Sequence, residues 1–206
     1  MRYLLFFQSL FPKEWEVGAI IENEIAYNPH YDDCHSILFH VKYYKNLHNN
    51  MVIKSNILTK ISKEDYIIIQ IDAHSNKEYL TFRGDNSTEE DYISWKDLYV
   101  LRNKLYSYYG ENILNILVSC LSAPYFQKID SQHIIIAADN IVSLRRAEEQ
   151  LLKFYNSFIE GRSYPTPIYR LARTWKGISF EEAVSYNSDN EMSIDVFLQD
   201  IDETIK

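Results

Sequence analysis

Between Asp65 and Ser75 the chain reads Asp-Tyr-Ile-Ile-Ile-Gln-Ile-Asp-Ala-His-Ser, with four isoleucines in five residues before polar residues return. An apolar run without alternation, closed by a polar cluster, predicts a strand buried on both faces of a parallel sheet. Such a strand delivers His74 to the carboxyl edge of the sheet. Asn112 to Cys120 repeats the pattern and ends on Ser119 and Cys120. Tyr3 to Phe7 predicts a first, central strand, and His133 to Ala138 predicts another that ends at Asp139. Ile37 to Tyr44 fits either a strand or the end of a helix, because its apolar residues show no clean period.

Helical spacing lies between these runs. Val17, Ile20, Ile21, Glu24 and Ile25 fit one stripe, with Asn28-Pro29 and Asp32-Asp33 as turn signals after it, and Ile53, Ile57, Leu58 and Ile61 form a second that predicts a crossover helix before the His74 strand. The clearest helix has Ser94 as N-cap, Asp97 three residues on, Gly110 as its stop, and Trp95, Leu98, Leu101, Leu105 and Tyr108 as its buried face. Ser143 opens a long helix to Ile159, with Ala147, Leu151, Leu152, Tyr155 and Phe158 on one side and Gly161 as terminator. Lys77 to Phe82 followed by Arg83-Gly84-Asp85-Asn86 predicts a small hairpin, and Asn86 to Asp91 a polar loop. Beyond Gly161, Thr166-Pro167 predicts a helix through Trp175, Ser179 and Glu182 a capping box, and Met192 to Ile205 an edge strand or helix. Strands alternating with amphipathic helices predict an α/β fold in three layers, a mostly parallel central sheet flanked by helices.

Length narrows this to one domain over residues 1–206: 206 residues at 46 % hydrophobic suffice for one core and fall short of two ordinary domains. A net charge of −8, without any Lys/Arg run, disfavours nucleic acid as a partner. The two cysteines, Cys34 and Cys120, are too few for a disulfide framework and fit a reducing compartment. No segment reaches membrane-spanning length, and the apolar start of the chain is followed by Pro12, Lys13 and Glu14 where a signal peptide would have small residues. The expected location is therefore cytoplasmic. His30, Cys34, His35 and His40 match no zinc spacing, since neighbours such as Cys34 and His35 point apart on any regular element, and no metal is expected. No glycine-rich phosphate loop follows any strand, so no nucleotide cofactor is expected either.

The remaining chemistry is a thiol and an imidazole at neighbouring strand ends. An imidazole favours the thiolate and then protonates the leaving group, which makes Cys120 and His74 candidate catalytic residues. His74 precedes Cys120 by 46 residues, close to the roughly 50-residue spacing of caspases and opposite in order to papain-like enzymes.

On the strand ending Asp-Ala-His-Ser at 72–75, the strand ending Ser119-Cys120, and the stretch from His133 to Gly161, the chain resembles the caspase-like cysteine peptidase superfamily, and within it the compact bacterial members. The resemblance implies peptide-bond hydrolysis through an acyl-enzyme, without metal or organic cofactor. It makes Cys120 the nucleophile, His74 the general acid/base, and the backbone N–H groups of Ser75 and Cys120 the oxyanion hole. It also implies a protein substrate, an activating sensor or co-encoded effector as partner, and a role in anti-phage defence. Ser75 stands where the family usually has glycine, and Val118 where metacaspases carry an acidic residue for a basic substrate side chain. Asp139 is the candidate to supply that acid, which would favour cleavage after Lys or Arg, with Asp72 and Asp85 as further candidates. Only 12 residues separate Cys120 from His133, so an uncut single chain is expected. Two other functions fit the same elements: a caspase-like interaction module without catalysis, and a flavodoxin-like regulatory domain with Cys120 and His74 in its core.

Overall fold

The computed structural model describes residues 1–10, 14–28, 34–43, 45–47, 60–62, 65–83, 90–109, 113–120, 122, 135–137 and 144–160. Among the described residues the strands run in chain order as β1 Arg2–Ser9, β2 Cys34–His40, β3 Tyr66–Ser75, β4 Tyr79–Arg83, β5 Glu90–Ser94, β6 Ile113–Val118 and β7 Ile135–Ala137. The helices α1 Val17–Ala26, α2 Trp95–Tyr109 and α3 Leu144–Glu160 accompany them.

Five strands are parallel, in the order β2-β1-β3-β6-β7. The two runs richest in apolar residues, β1 and β3, lie side by side at the centre, in register from Arg2↔Tyr66 to Ser9↔Ala73. Every residue of β1 is buried, as befits a strand covered on both faces. β4 and β5 form an antiparallel hairpin grown onto the end of β3 through His74↔Thr81 and Ser75↔Leu80. The hairpin extends the sheet on the β1 side, where the Arg83 N–H donates to Ser9 Oγ at 2.9 Å. The sheet is therefore mixed, with a parallel core.

Side-chain alternation sends the two halves of β3 to different layers. Ile67, Ile69, Ile71 and Ala73 join Leu5, Phe7, Ile113 and Leu117 under Leu98, Leu101 and Leu105 of α2, with Leu80, Phe82, Ile93 and Trp95 of the hairpin closing that core. On the opposite face α1 packs against α3, and Phe6 meets the Tyr155 ring of α3 at 5.7 Å between centroids. α1 turns Val17, Gly18, Ile21 and Ile25 inward. Its burial repeats at the helical period, which is why the segment is a helix despite the turn-forming residues that follow.

α1 connects β1 to β2 on one face, and α2 connects the hairpin to β6 on the other. The chain thus winds outward in two directions from between β1 and β3, which makes that junction the topological switch point of the sheet.

The cap expected at Ser94 is present: the Asp97 N–H donates to Ser94 Oγ at 3.1 Å, and the Ser94 hydroxyl donates to the Asp97 carboxylate at 2.6 Å. Three expectations change. The 37–44 stretch, left open between strand and helix, is strand through His40. The polar loop expected to run to Asp91 ends earlier, because Glu90 and Asp91 already pair with Arg83 and Phe82 as the second arm of the hairpin. The Cys120 strand ends at Val118, so Ser119 and Cys120 occupy the turn that follows. The crossover helix expected over 53–61 and all elements expected beyond Gly161 fall outside the described residues, apart from Lys60 and Ile61. Among the described residues no helix is long and apolar enough to cross a membrane.

Candidate functional site

The last register pair between β3 and β6 is Asp72↔Val118. His74 lies two residues further along β3, and Cys120 lies two residues past Val118, in the turn that follows β6. The two chain ends are joined directly: the Ser75 hydroxyl donates to the Cys120 carbonyl oxygen at 2.5 Å. The turn carrying Cys120 is closed in the same way, by the Ser122 hydroxyl donating to the Ser119 carbonyl at 3.0 Å. Cys120 is half-buried.

Ser75, where the resemblance leads one to expect glycine, lies within β3. Strand backbone is open to any L-residue, so the position makes no demand for glycine. The Asn76 N–H donates to the Tyr79 carbonyl at 3.0 Å, which makes 76/79 a hydrogen-bonded pair of the hairpin and the neighbouring 75/80 a non-hydrogen-bonded one. The Ser75 N–H is consequently turned away from β4, toward the side on which β6 ends.

His74 follows Gln70 and Asp72 on the face of β3 that α1 covers. Its Nε2 lies 2.9 Å from Glu14 Oε1, with the two side chains 40 % and 27 % exposed. Glu14 comes from the segment joining β1 to α1, 60 residues from its partner. That segment is held on both sides. The Trp15 indole N–H donates to Glu148 of α3, and the Gly18 N–H, in the first turn of α1, donates to Asp72 Oδ2 at 2.6 Å.

Asp72 is itself fully buried, and burial pushes its carboxyl up to about 7 against the opposing effect of hydrogen bonds from Gln70 and Gly18. Its Oδ1 accepts from Gln70 Nε2 at 2.8 Å, and Gln70 Oε1 accepts from the Tyr155 hydroxyl at 2.9 Å. A Cβ at Gly18 would come 2.6 Å from Asp72 Oδ2, so the close approach of helix and strand requires glycine here. With both oxygens bound inside the protein, Asp72 is not available to a substrate, which removes it as a candidate for an acidic specificity pocket. Asp139 and Asp85 lie outside the described residues.

On β2, Cys34 and His35 lie at the opposite, amino end of the sheet, where His35 packs against the Tyr3 ring at 5.4 Å, while His40 ends the strand at the carboxyl edge, level with Gln8 and Asp72 and two strands away from β3. His30 lies outside the described residues. No group of three His, Cys, Asp or Glu that could hold a metal ion occurs among the described residues.

Sequence reasoning missed Glu14 and the contact between Asp72 and Gly18. No local pattern marks either, since both are long-range pairs. The available signal was topological: open α/β sheets bind ligands at the switch point, and the loop that leaves β1 there contains Glu14. Compared with protein-family models and with curated proteins, the chain matches none. Chemically, the edge offers a thiol, an imidazole bound to a carboxylate, and a main-chain N–H directed toward the same side. Nucleophilic acyl transfer uses groups of these kinds.

Proposed function

We propose that the chain is a caspase-like cysteine endopeptidase, with Cys120 as nucleophile and His74 as general acid/base. What supports it most is the junction of β3 and β6: His74 and Cys120 each stand two residues past the paired Asp72 and Val118, and the Ser75 hydroxyl ties the two ends together.

In the reaction, His74 takes the thiol proton and the Cys120 sulfur adds to the scissile carbonyl carbon. The resulting oxyanion is held by the N–H groups of Ser75 and Cys120. Collapse of the tetrahedral species breaks the C–N bond, and the imidazolium returns its proton to the leaving amine. Water, deprotonated by His74, then hydrolyses the thioester, releasing the carboxylic acid and regenerating the thiol. A protein substrate lies along the edge, with Asp139 receiving a basic side chain. An activating sensor or co-encoded effector controls access, in keeping with a role in bacterial anti-phage defence.

The parallel strand order also suits the flavodoxin-like regulatory reading. That reading needs His74 and Cys120 as core residues, and a His74 side chain 40 % exposed speaks against it. An interaction module without catalysis is the reading that Ser75 in place of glycine favours, and the strand backbone at that position weakens it.

A peptidyl electrophile with Lys or Arg beside its warhead tests the proposal. Mass spectrometry of the Cys34→Ser protein should show one adduct, on Cys120, forming on the order of a hundredfold or more faster than in a His74→Ala variant. Equal rates in the two folded proteins, or no adduct in either, would overturn it.

A further inference from the structure

The contact between Glu14 and His74 joins two parts of the chain that packing alone does not require to meet. Both side chains are partly exposed, so burial does not force the pair together. An isolated surface ion pair of that kind contributes little stability. Yet the segment bearing Glu14 is fixed more firmly than a surface loop needs: Val17 N–H donates to the Trp15 carbonyl at 3.1 Å, the Trp15 indole is bound to Glu148, and α1 is pinned to β3 through Gly18 and Asp72. Asp72 lies two residues before His74 on the same face of the same strand. The spacing between Glu14 and His74 is therefore set by one short, buried strut.

We propose that Glu14 is a positioning residue for His74, holding the imidazole by Nε2 so that Nδ1 is the nitrogen that exchanges protons with the Cys120 thiol. This rests on the peptidase reading for its chemistry. A carboxylate accepts from Nε2–H and leaves the lone pair of the neutral ring on Nδ1, which fixes both tautomer and ring orientation. When the ring takes the thiol proton, the resulting imidazolium carries its positive charge beside the Glu14 carboxylate. A chain without this contact would divide its neutral His74 between two tautomers, only one of them competent.

Two variants separate charge from orientation. Glu14→Gln keeps an oxygen able to accept from Nε2–H and loses the charge; Glu14→Ala loses both. Long-range proton–nitrogen NMR on the labelled protein, with His74 assigned by its loss in His74→Gln, should find neutral His74 protonated at Nε2 in the wild type and in Glu14→Gln. Glu14→Ala should show a mixture of tautomers. Labelling of Cys120 by the peptidyl electrophile should slow on the order of a hundredfold in Glu14→Ala and less in Glu14→Gln. A wild-type imidazole protonated at Nδ1 would overturn the assignment. So would Glu14→Ala labelling at the wild-type rate while His74→Ala does not. If Cys120 fails to label in every protein, the peptidase reading falls, and the tautomer measurement still decides whether Glu14 holds the ring by Nε2.

Discussion

Replacing Asp72 with asparagine should flatten a pH dependence of stability that the wild type carries in its core. The Asp72 carboxyl is raised from 3.8 to about 7 in the folded protein, chiefly by burial. The folded state thus binds this proton more tightly than the unfolded chain, and the contribution is fully present below about pH 4 and lost as the pH rises through about 7. A shift of about 3 units corresponds to roughly 4 kcal/mol across the whole range, of which about 2–3 kcal/mol falls between about pH 5 and pH 8. Asp65 titrates in the opposite sense: burial would raise it, but the Ser62 backbone and side chain and the N-terminal ammonium together lower it, so its effect is confined to more acid solution. The asparagine can be accommodated because Gln70 can reverse its amide. Gln70 Oε1 then accepts from Asn Nδ2, and its Nε2 donates to the Tyr155 hydroxyl, which serves equally as acceptor. Urea unfolding of both proteins at about pH 5 and about pH 8 gives the four free energies needed. The wild type should lose about 2–3 kcal/mol between them and the variant well under half of that, so that Asp72→Asn is the more stable protein in alkali. Parallel pH profiles for the two proteins would show that Asp72 is ionised throughout and that its burial has been misjudged.

Other perturbations probe the same framework. Gly18→Ala places a methyl 2.6 Å from Asp72 Oδ2 and should cost about 1–3 kcal/mol by urea unfolding, well above the effect of an ordinary helix substitution. Because that methyl pushes on the start of α1, just after the segment that carries Glu14, Cys120 labelling should slow as well. Ser94→Ala removes the acceptor for the Asp97 N–H and should cost about 1 kcal/mol, with Cys120 labelling unchanged. Ser75→Ala removes the donor to the Cys120 carbonyl but keeps the main-chain N–H. It should lower stability by about 1 kcal/mol and slow labelling far less than His74→Ala.

Much of the frame was legible because its signals are local. β3 declares itself by isoleucines that no solvent-facing strand would carry, and α2 by a serine whose side chain meets an amide three residues on. β2 was ambiguous for a physical reason: as an outer strand it is only half-buried along most of its length, so its residues follow no strict alternation. β5 was hidden because Glu90 and Asp91 read as loop, and they pair only because the hairpin carries the sheet onward there. His74 was visible because it closes an apolar run, and Cys120 likewise, although its strand stops two residues earlier, at Val118. Glu14 was not. Its meaning depends on a partner 60 residues away, and that meeting is decided by where β1 and β3 stop rather than by anything next to Glu14 in the chain.

β3 is bordered by β1, made earlier, and by β4 and β6, made later. During synthesis, a nascent chain with only its first hundred residues outside the ribosome already contains Glu14 and His74 but has no thiol at that edge. The strand that brings Cys120 alongside must still emerge and dock in parallel, a slow, long-range step. The order of the elements along the gene therefore acts as a timer, leaving this edge of the sheet unfinished until β6 has been made and has docked.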